Sequence, residues 1–304
     1  MSAGGWELTL RHGPYEAVVT EVGGGLRLLR HAGRDLVRPY GVGQVRPRYS
    51  GVVLAPWPNR VADGVYTFDG ETHRLPHTEP ERQNALHGLV TWDRFQAAHT
   101  SASSATLVDR PAPRVGYPFE VEVEVTYTLH EEEGLRTTVR GRNLGTRPAP
   151  WGTAPHPYLQ AGTDHVDECR LVVPAAQVLQ VTPDRLLPVR VVPVQDEGLD
   201  LRTARRIGDL FLDHAFTGLV PDEDGLARVR LTSASGAGVE CVWDPAVLQW
   251  VQVHTADTPE AETDRTGLAV EPMTCAPDAF NSGAGLVVLP PGGHHDATWT
   301  LRAV

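Results

Sequence analysis

The sequence predicts an all-β protein, a large antiparallel β-sandwich. Three observations lead there. Apolar and polar residues alternate over 120–130, turn dipeptides and glycine runs separate short strand-like segments, and no window longer than a few turns keeps the three-and-four spacing of an amphipathic helix. Short strands joined by short turns each have one face to bury, and stacking one sheet on another buries it.

The elements follow in chain order. Residues 17–20 and 26–30 read as strands flanking the GGG run at 23–25. Residues 65–68 and 72–75 flank Asp69-Gly70, a dipeptide that tolerates the backbone of a tight hairpin turn. The clearest strand is EVEVEVTYTLH, in which Val121, Val123, Val125, Tyr127 and Leu129 share one face. EEEG at 131–134 turns the chain, and LRTTVRG continues as its antiparallel partner with Leu135, Thr137 and Val139 on one side. Residues 204–212 fit one short helix. Residues 229–231 and 239–243 flank a SASGAG turn, and 248–255 and 299–304 read as further strands. The 25 prolines and 30 glycines are spread along the chain without a linker or a fixed-period repeat, so residues 1–304 are expected to form a single domain.

Composition narrows the function. With 41% hydrophobic and 21% charged residues the chain can bury a sizeable core, and its net charge of -11 disfavours nucleic acid or an anionic membrane as partner. The start lacks a basic segment followed by an apolar stretch, and no later window holds the roughly 20 apolar residues of a membrane span, so a cytoplasmic location is expected. Cys169, Cys241 and Cys275 are widely spaced and read as buried free thiols. All 27 basic residues are Arg, so neither a lysine Schiff base nor a Walker A phosphate loop is possible. Among the 13 histidines, His294 and His295 are adjacent and would point to opposite faces of an extended segment, a poor pair of metal ligands.

Five polar residues beside prolines, glycines or apolar runs stand out: Arg60, His87, His156, Asp213 and Glu271. Each has an ordinary explanation by itself. Arg60 can be a surface ion-pair partner, His87 a hydrogen-bonded core histidine, His156 part of a rigid turn between two prolines, and Asp213 a cap. Glu271 ends an apolar stretch, where an unpaired carboxylate is costly. Trp57 and Trp250 can offer an apolar plane to a ligand, though core packing suits both better.

Together these segments resemble the aldose 1-epimerase (galactose mutarotase) family. PWPNRVADGVYTFDG is similar to its Asn-Arg block, NALHGL to its first histidine block, APHPYL to its His-Pro-Tyr block, FLDHAF to its Asp-His-x-Phe segment, and EPMTCAPDAFN to its Glu-Pro block. The order and spacing of the blocks carry the resemblance, which runs nearly end to end. It implies Glu271 as general base, His156 as general acid, and Arg60, His87 and Asp213 as holders of sugar hydroxyls. It also implies a small-molecule sugar substrate, a large antiparallel sandwich, no cofactor and no metal, in a monomer or homodimer. HGL and EPM depart from the HGG and EPQ common in the family, which bears on the preferred sugar. A hexose-6-phosphate epimerase, with Arg74 and Arg82 clamping the phosphate, is the alternative within the enzyme class. A noncatalytic sugar-binding protein would lack the Glu271 and His156 pair, and a glycoside hydrolase would normally need two flanking carboxylates.

Overall fold

A computed structural model describes residues 2–260 and 262–304. Strands make up 47% of the chain and helix 4%. Two antiparallel sheets carry the architecture. The nine-stranded sheet runs, in spatial order, Gln96–Thr100, Ser104–Asp109, Val121–His130, Gly134–Asn143, His294–Ala303, Gly238–Trp243, Ala227–Thr232, Arg170–Val172 and Arg205–Arg206. The six-stranded sheet runs Tyr158–Leu159, Leu268–Met273, Trp250–His254, Asp213–Leu219, Ala175–Val181 and Pro188–Pro193. A four-stranded sheet near the start of the chain, Glu7–His12 to Arg34–Asp35, and several two-stranded ribbons complete the fold.

The alternation in the sequence does what its period requires. Along Val121–His130 the five apolar side chains are buried, while the residues between them are half-buried. Gly134–Asn143 pairs with it from Val121↔Asn143 to His130↔Gly134, so Leu135, Thr137 and Val139 also face inward. The apolar ones among them join Val178, Phe216, Val251, Val253 and Val270 of the six-stranded sheet in one continuous apolar core. Each buried Val or Leu contributes about 1.5–3 kcal/mol, so a charge at Val125 would unmake the sandwich locally. All three cysteines are buried and free.

Residues 204–212 do not form a helix. Arg205–Arg206 instead pairs with Arg170–Leu171 at the edge of the nine-stranded sheet, and Gly208 takes a left-handed φ of 55°. A segment this short gains little from helix formation, and the open edge of Arg170–Val172 offers its backbone partners. Among the described residues the only α-helix is Ala279–Ser282, and no helix is long and apolar enough to cross a membrane.

Candidate active site

The floor of the site is laid by strand register. Glu271 pairs with Gln252, and Gln252 pairs with Ala215. Two residues along, Asp213 pairs with His254, His254 with Ala269, and Ala269 with Tyr158. Side chains two residues apart on a strand share a face, so both rows look the same way. Glu271 thus lies inside Leu268–Met273 rather than at its end, as the sequence suggested.

Loops supply the walls. Asn59 and His87 take left-handed φ of 54° and 64°, and the His87 backbone N–H donates to the Asn59 carbonyl at 2.9 Å. Gly88 makes this possible. Its φ is 76°, and a Cβ there would lie 2.1 Å from the Ala55 carbonyl oxygen, so only glycine lets the loop close and deliver His87. His156 is fixed between Pro155 and Pro157, its N–H donating to Val52 and its carbonyl accepting from Gly51.

The result is a cleft of about 380 Å³, lined by residues that include Arg60, His87, His156, Asp213 and Glu271. All five residues singled out in the sequence are therefore brought together. Arg60 pairs not with a surface partner but with buried Glu79, its Nε and Nη2 each donating to a carboxylate oxygen at 2.9 Å. An amide chain crosses the site. Asn59 Oδ1 accepts from the Arg60 N–H, Asn59 Nδ2 donates to Gln252 Oε1 at 3.3 Å, and Gln252 Nε2 donates to Asp213 Oδ1 at 2.6 Å.

Glu271 and His156 meet at the floor, with His156 Nε2 3.4 Å from Glu271 Oε1. Glu271 Oε2 and the Nδ1 atoms of His156 and His87 are buried without a partner among the described residues. All three belong to residues that line the cleft, so each has a hydrogen bond still to make there. Burial, then the nearby Asp213 charge, pushes the Glu271 carboxyl well above the usual carboxylate range, against the pull of Arg60. Burial, with a smaller contribution from His254, lowers His156 to about 3. Burial also takes His87 well below its ordinary value, with the charges of His156 and Arg60 adding to it. Glu79 goes the other way: burial alone would raise it, but the hydrogen bonds and charge of Arg60 outweigh that and hold it ionised.

Other sequence candidates fall elsewhere. Arg82 reaches the cleft but donates to Glu79, and Arg74 lines a separate shallow groove with Arg114 and Arg147. The two arginines therefore do not converge as a phosphate clamp. Trp57 packs against Tyr117 and Phe280, and Trp250 against Leu54 and Met273, so both are core residues. His294 and His295 begin the central strand of the nine-stranded sheet, away from the cleft. Sequence reasoning did not single out Tyr49, Glu79, Gln252 or His254, all of which line the cleft. Gln252 and His254 carried a signal in VQVHT, polar residues two apart facing the Glu271 strand; Glu79 and Tyr49 lie in irregular segments with no pattern to mark them.

Fold and cleft together define a β-sandwich protein with a carboxylate and an imidazole side by side on the floor of a small polar cleft. The family model described as aldose 1-epimerase matches residues 7–302, and the chain belongs to that family. It is 35% identical to the uncharacterized protein YihR of Escherichia coli (strain K12), over 97% of this chain and 92% of that protein. It is 30% identical to the galactose mutarotase of Rattus norvegicus over 53% of this chain and 47% of the other, so it matches about half the length of that relative. Among solved structures, a putative aldose 1-epimerase from E. coli K12 superposes with a TM-score of 0.83 at 21% identity, covering 98% and 99% of the two chains. Galactose 1-epimerase from Lactobacillus acidophilus NCFM gives 0.80 at 19%, covering 98% and 94%. At these identities the two structures speak for the fold.

Proposed function

We propose that the protein interconverts the α and β anomers of a free, neutral aldose such as glucose or galactose, with Glu271 and His156 as proton carriers and Arg60, His87 and Asp213 as holders of hydroxyls. The observation that carries this reading is the 3.4 Å separation of His156 Nε2 and Glu271 Oε1. In a pyranose, C1 bears both the hydroxyl that must lose a proton and the ring oxygen that must gain one. Acid and base therefore have to stand next to each other, whereas the carboxyl groups of a glycosidase stand about 5–9.5 Å apart.

The Glu271 carboxylate takes the C1 hydroxyl proton while the His156 imidazolium gives one to the ring oxygen. The C1–O5 bond breaks and C1 becomes an aldehyde. Rotation about C1–C2 presents the other face, the C5 hydroxyl attacks, and the two protons travel back. Burial favours the uncharged form of the pair in the free protein, with its proton on Glu271. The reactive ion pair differs only in where that proton sits. A bound sugar favours it, because the C1 hydroxyl donates to the carboxylate and the ring oxygen accepts from the imidazolium.

Arg60, held by Glu79, and Asp213, held by Gln252, keep the opened chain in place for reclosure. The cleft takes residues from Arg48 to Glu271, which supports reading 1–304 as one unit. The names of the galactose mutarotase relatives support the reaction class. Polarimetry of freshly dissolved α-D-glucose, α-D-galactose and glucose 6-phosphate tests the proposal. Acceleration of a neutral sugar is expected; acceleration confined to the phosphate would favour the hexose-6-phosphate alternative, and none at all would leave a binding protein.

A further inference from the structure

Resting on that reading, we infer that His254 is a second hydroxyl acceptor and that, with Asp213, it selects sugars carrying two adjacent free hydroxyls at that end of the cleft. His254 Nδ1 lies 3.0 Å from the Leu212 carbonyl oxygen. A carbonyl can only accept, so Nδ1 carries the proton, and in the neutral ring Nε2 is left with a lone pair. The ring lines the cleft, so this acceptor is available to a ligand there.

Asp213 stands directly opposite His254 in the strand register, which places their Cβ atoms about 4.5–5.5 Å apart on the same face. Its Oδ1 is taken by Gln252 Nε2, and its second oxygen accepts no hydrogen bond from the described residues. Two acceptors side by side, each lacking a proton to give, match two neighbouring donors. A vicinal diol supplies them. A position blocked by phosphate, O-methyl or loss of oxygen supplies one donor fewer and leaves an acceptor unpaired. Neither Arg60 nor His87 duplicates this role, since guanidinium only donates and His87 is held by a different segment, beside Asn59 and Arg60.

The test is steady-state mutarotation by His254→Phe, His254→Asn and His254→Gln, each checked for wild-type-like thermal unfolding, on glucose and its 2-, 3-, 4- and 6-deoxy analogues. His254→Asn retains a donor for the Leu212 carbonyl but has no acceptor in the place of Nε2, while His254→Gln has one. KM for glucose is expected to rise about tenfold in the Phe and Asn variants, with kcat within a few-fold, and Gln is expected to recover most of the loss. One deoxy sugar, lacking the hydroxyl that His254 holds, should be handled equally by wild type and His254→Asn. A merely structural role would weaken every sugar alike. KM values unchanged in all three variants, or equal losses on every deoxy sugar, overturn the assignment while wild-type activity stands. Absence of any wild-type acceleration instead overturns the reading on which it rests.

Discussion

Replacing Glu79 by alanine removes the group that aims Arg60. Both side chains are largely withdrawn from water, at 5% and 11% exposed, and they share two hydrogen bonds of 2.9 Å. Removing one member of a buried ion pair costs about 3–5 kcal/mol when the other is left dry. Arg60 lines an open cleft and can regain some hydration, so about 2–3 kcal/mol is expected. At roughly 2–4 °C per kcal/mol for a chain of this order of size, Tm should fall by about 5–10 °C. Arg60 then loses its fixed direction. If it holds a sugar hydroxyl, a charged hydrogen bond of about 1.5–3 kcal/mol is weakened, and kcat/KM should drop about 10- to 100-fold. Thermal unfolding and mutarotation kinetics on the same preparation measure both, with Glu79→Gln expected to fall between. A variant whose Tm and kcat/KM both stay within error of wild type would refute the claim that this pair organises the site.

Three further outcomes follow from the geometry. The Glu271 and His156 pair holds one proton, and burial opposes both adding a second and removing the first. The kcat/KM–pH profile should therefore be flat through neutrality, with its acid limb held down toward the value of about 3 to which burial lowers His156 in the free protein; a limb centred near the ordinary histidine value would contradict it. Glu271 keeps its proton in the fold and loses it in the unfolded chain above the ordinary carboxylate value. Stability from this group is thus fully present at acid pH and is lost as pH rises, so Glu271→Gln should unfold no lower than wild type at neutral pH, by circular dichroism; a Tm well below wild type would argue against a group that burial keeps protonated at a cost to stability. Gly88→Ala should cost several kcal/mol and displace His87, with reduced Tm and raised KM, because its Cβ would meet the Ala55 carbonyl at 2.1 Å.

The sandwich was legible in the sequence because period-two alternation is a local signal: Val121 to Leu129 announce their buried face without knowledge of the partner sheet. The short helix at 204–212 was misread for the same reason. Its spacing was local, but the open edge beside Arg170–Val172 decided the outcome. In the site, His156 and Glu271 were marked by prolines and apolar neighbours that make a polar side chain conspicuous. Glu79 was not, since its importance comes from Arg60, distant by 19 residues and joined only by folding. The Asn59–Gln252–Asp213 chain spans |i−j| of 193 and then 39. No sequence window contains it.

The central claim is that Glu271 and His156 exchange protons with the two oxygens on C1. NMR exchange spectroscopy of glucose or galactose at anomeric equilibrium measures this directly, as the rate at which magnetisation passes between the α and β H1 signals. With wild-type protein the exchange should be fast, and Glu271→Gln and His156→Ala should each slow it by about 10²- to 10⁴-fold in folded protein. Exchange as fast in either variant as in wild type would contradict the account.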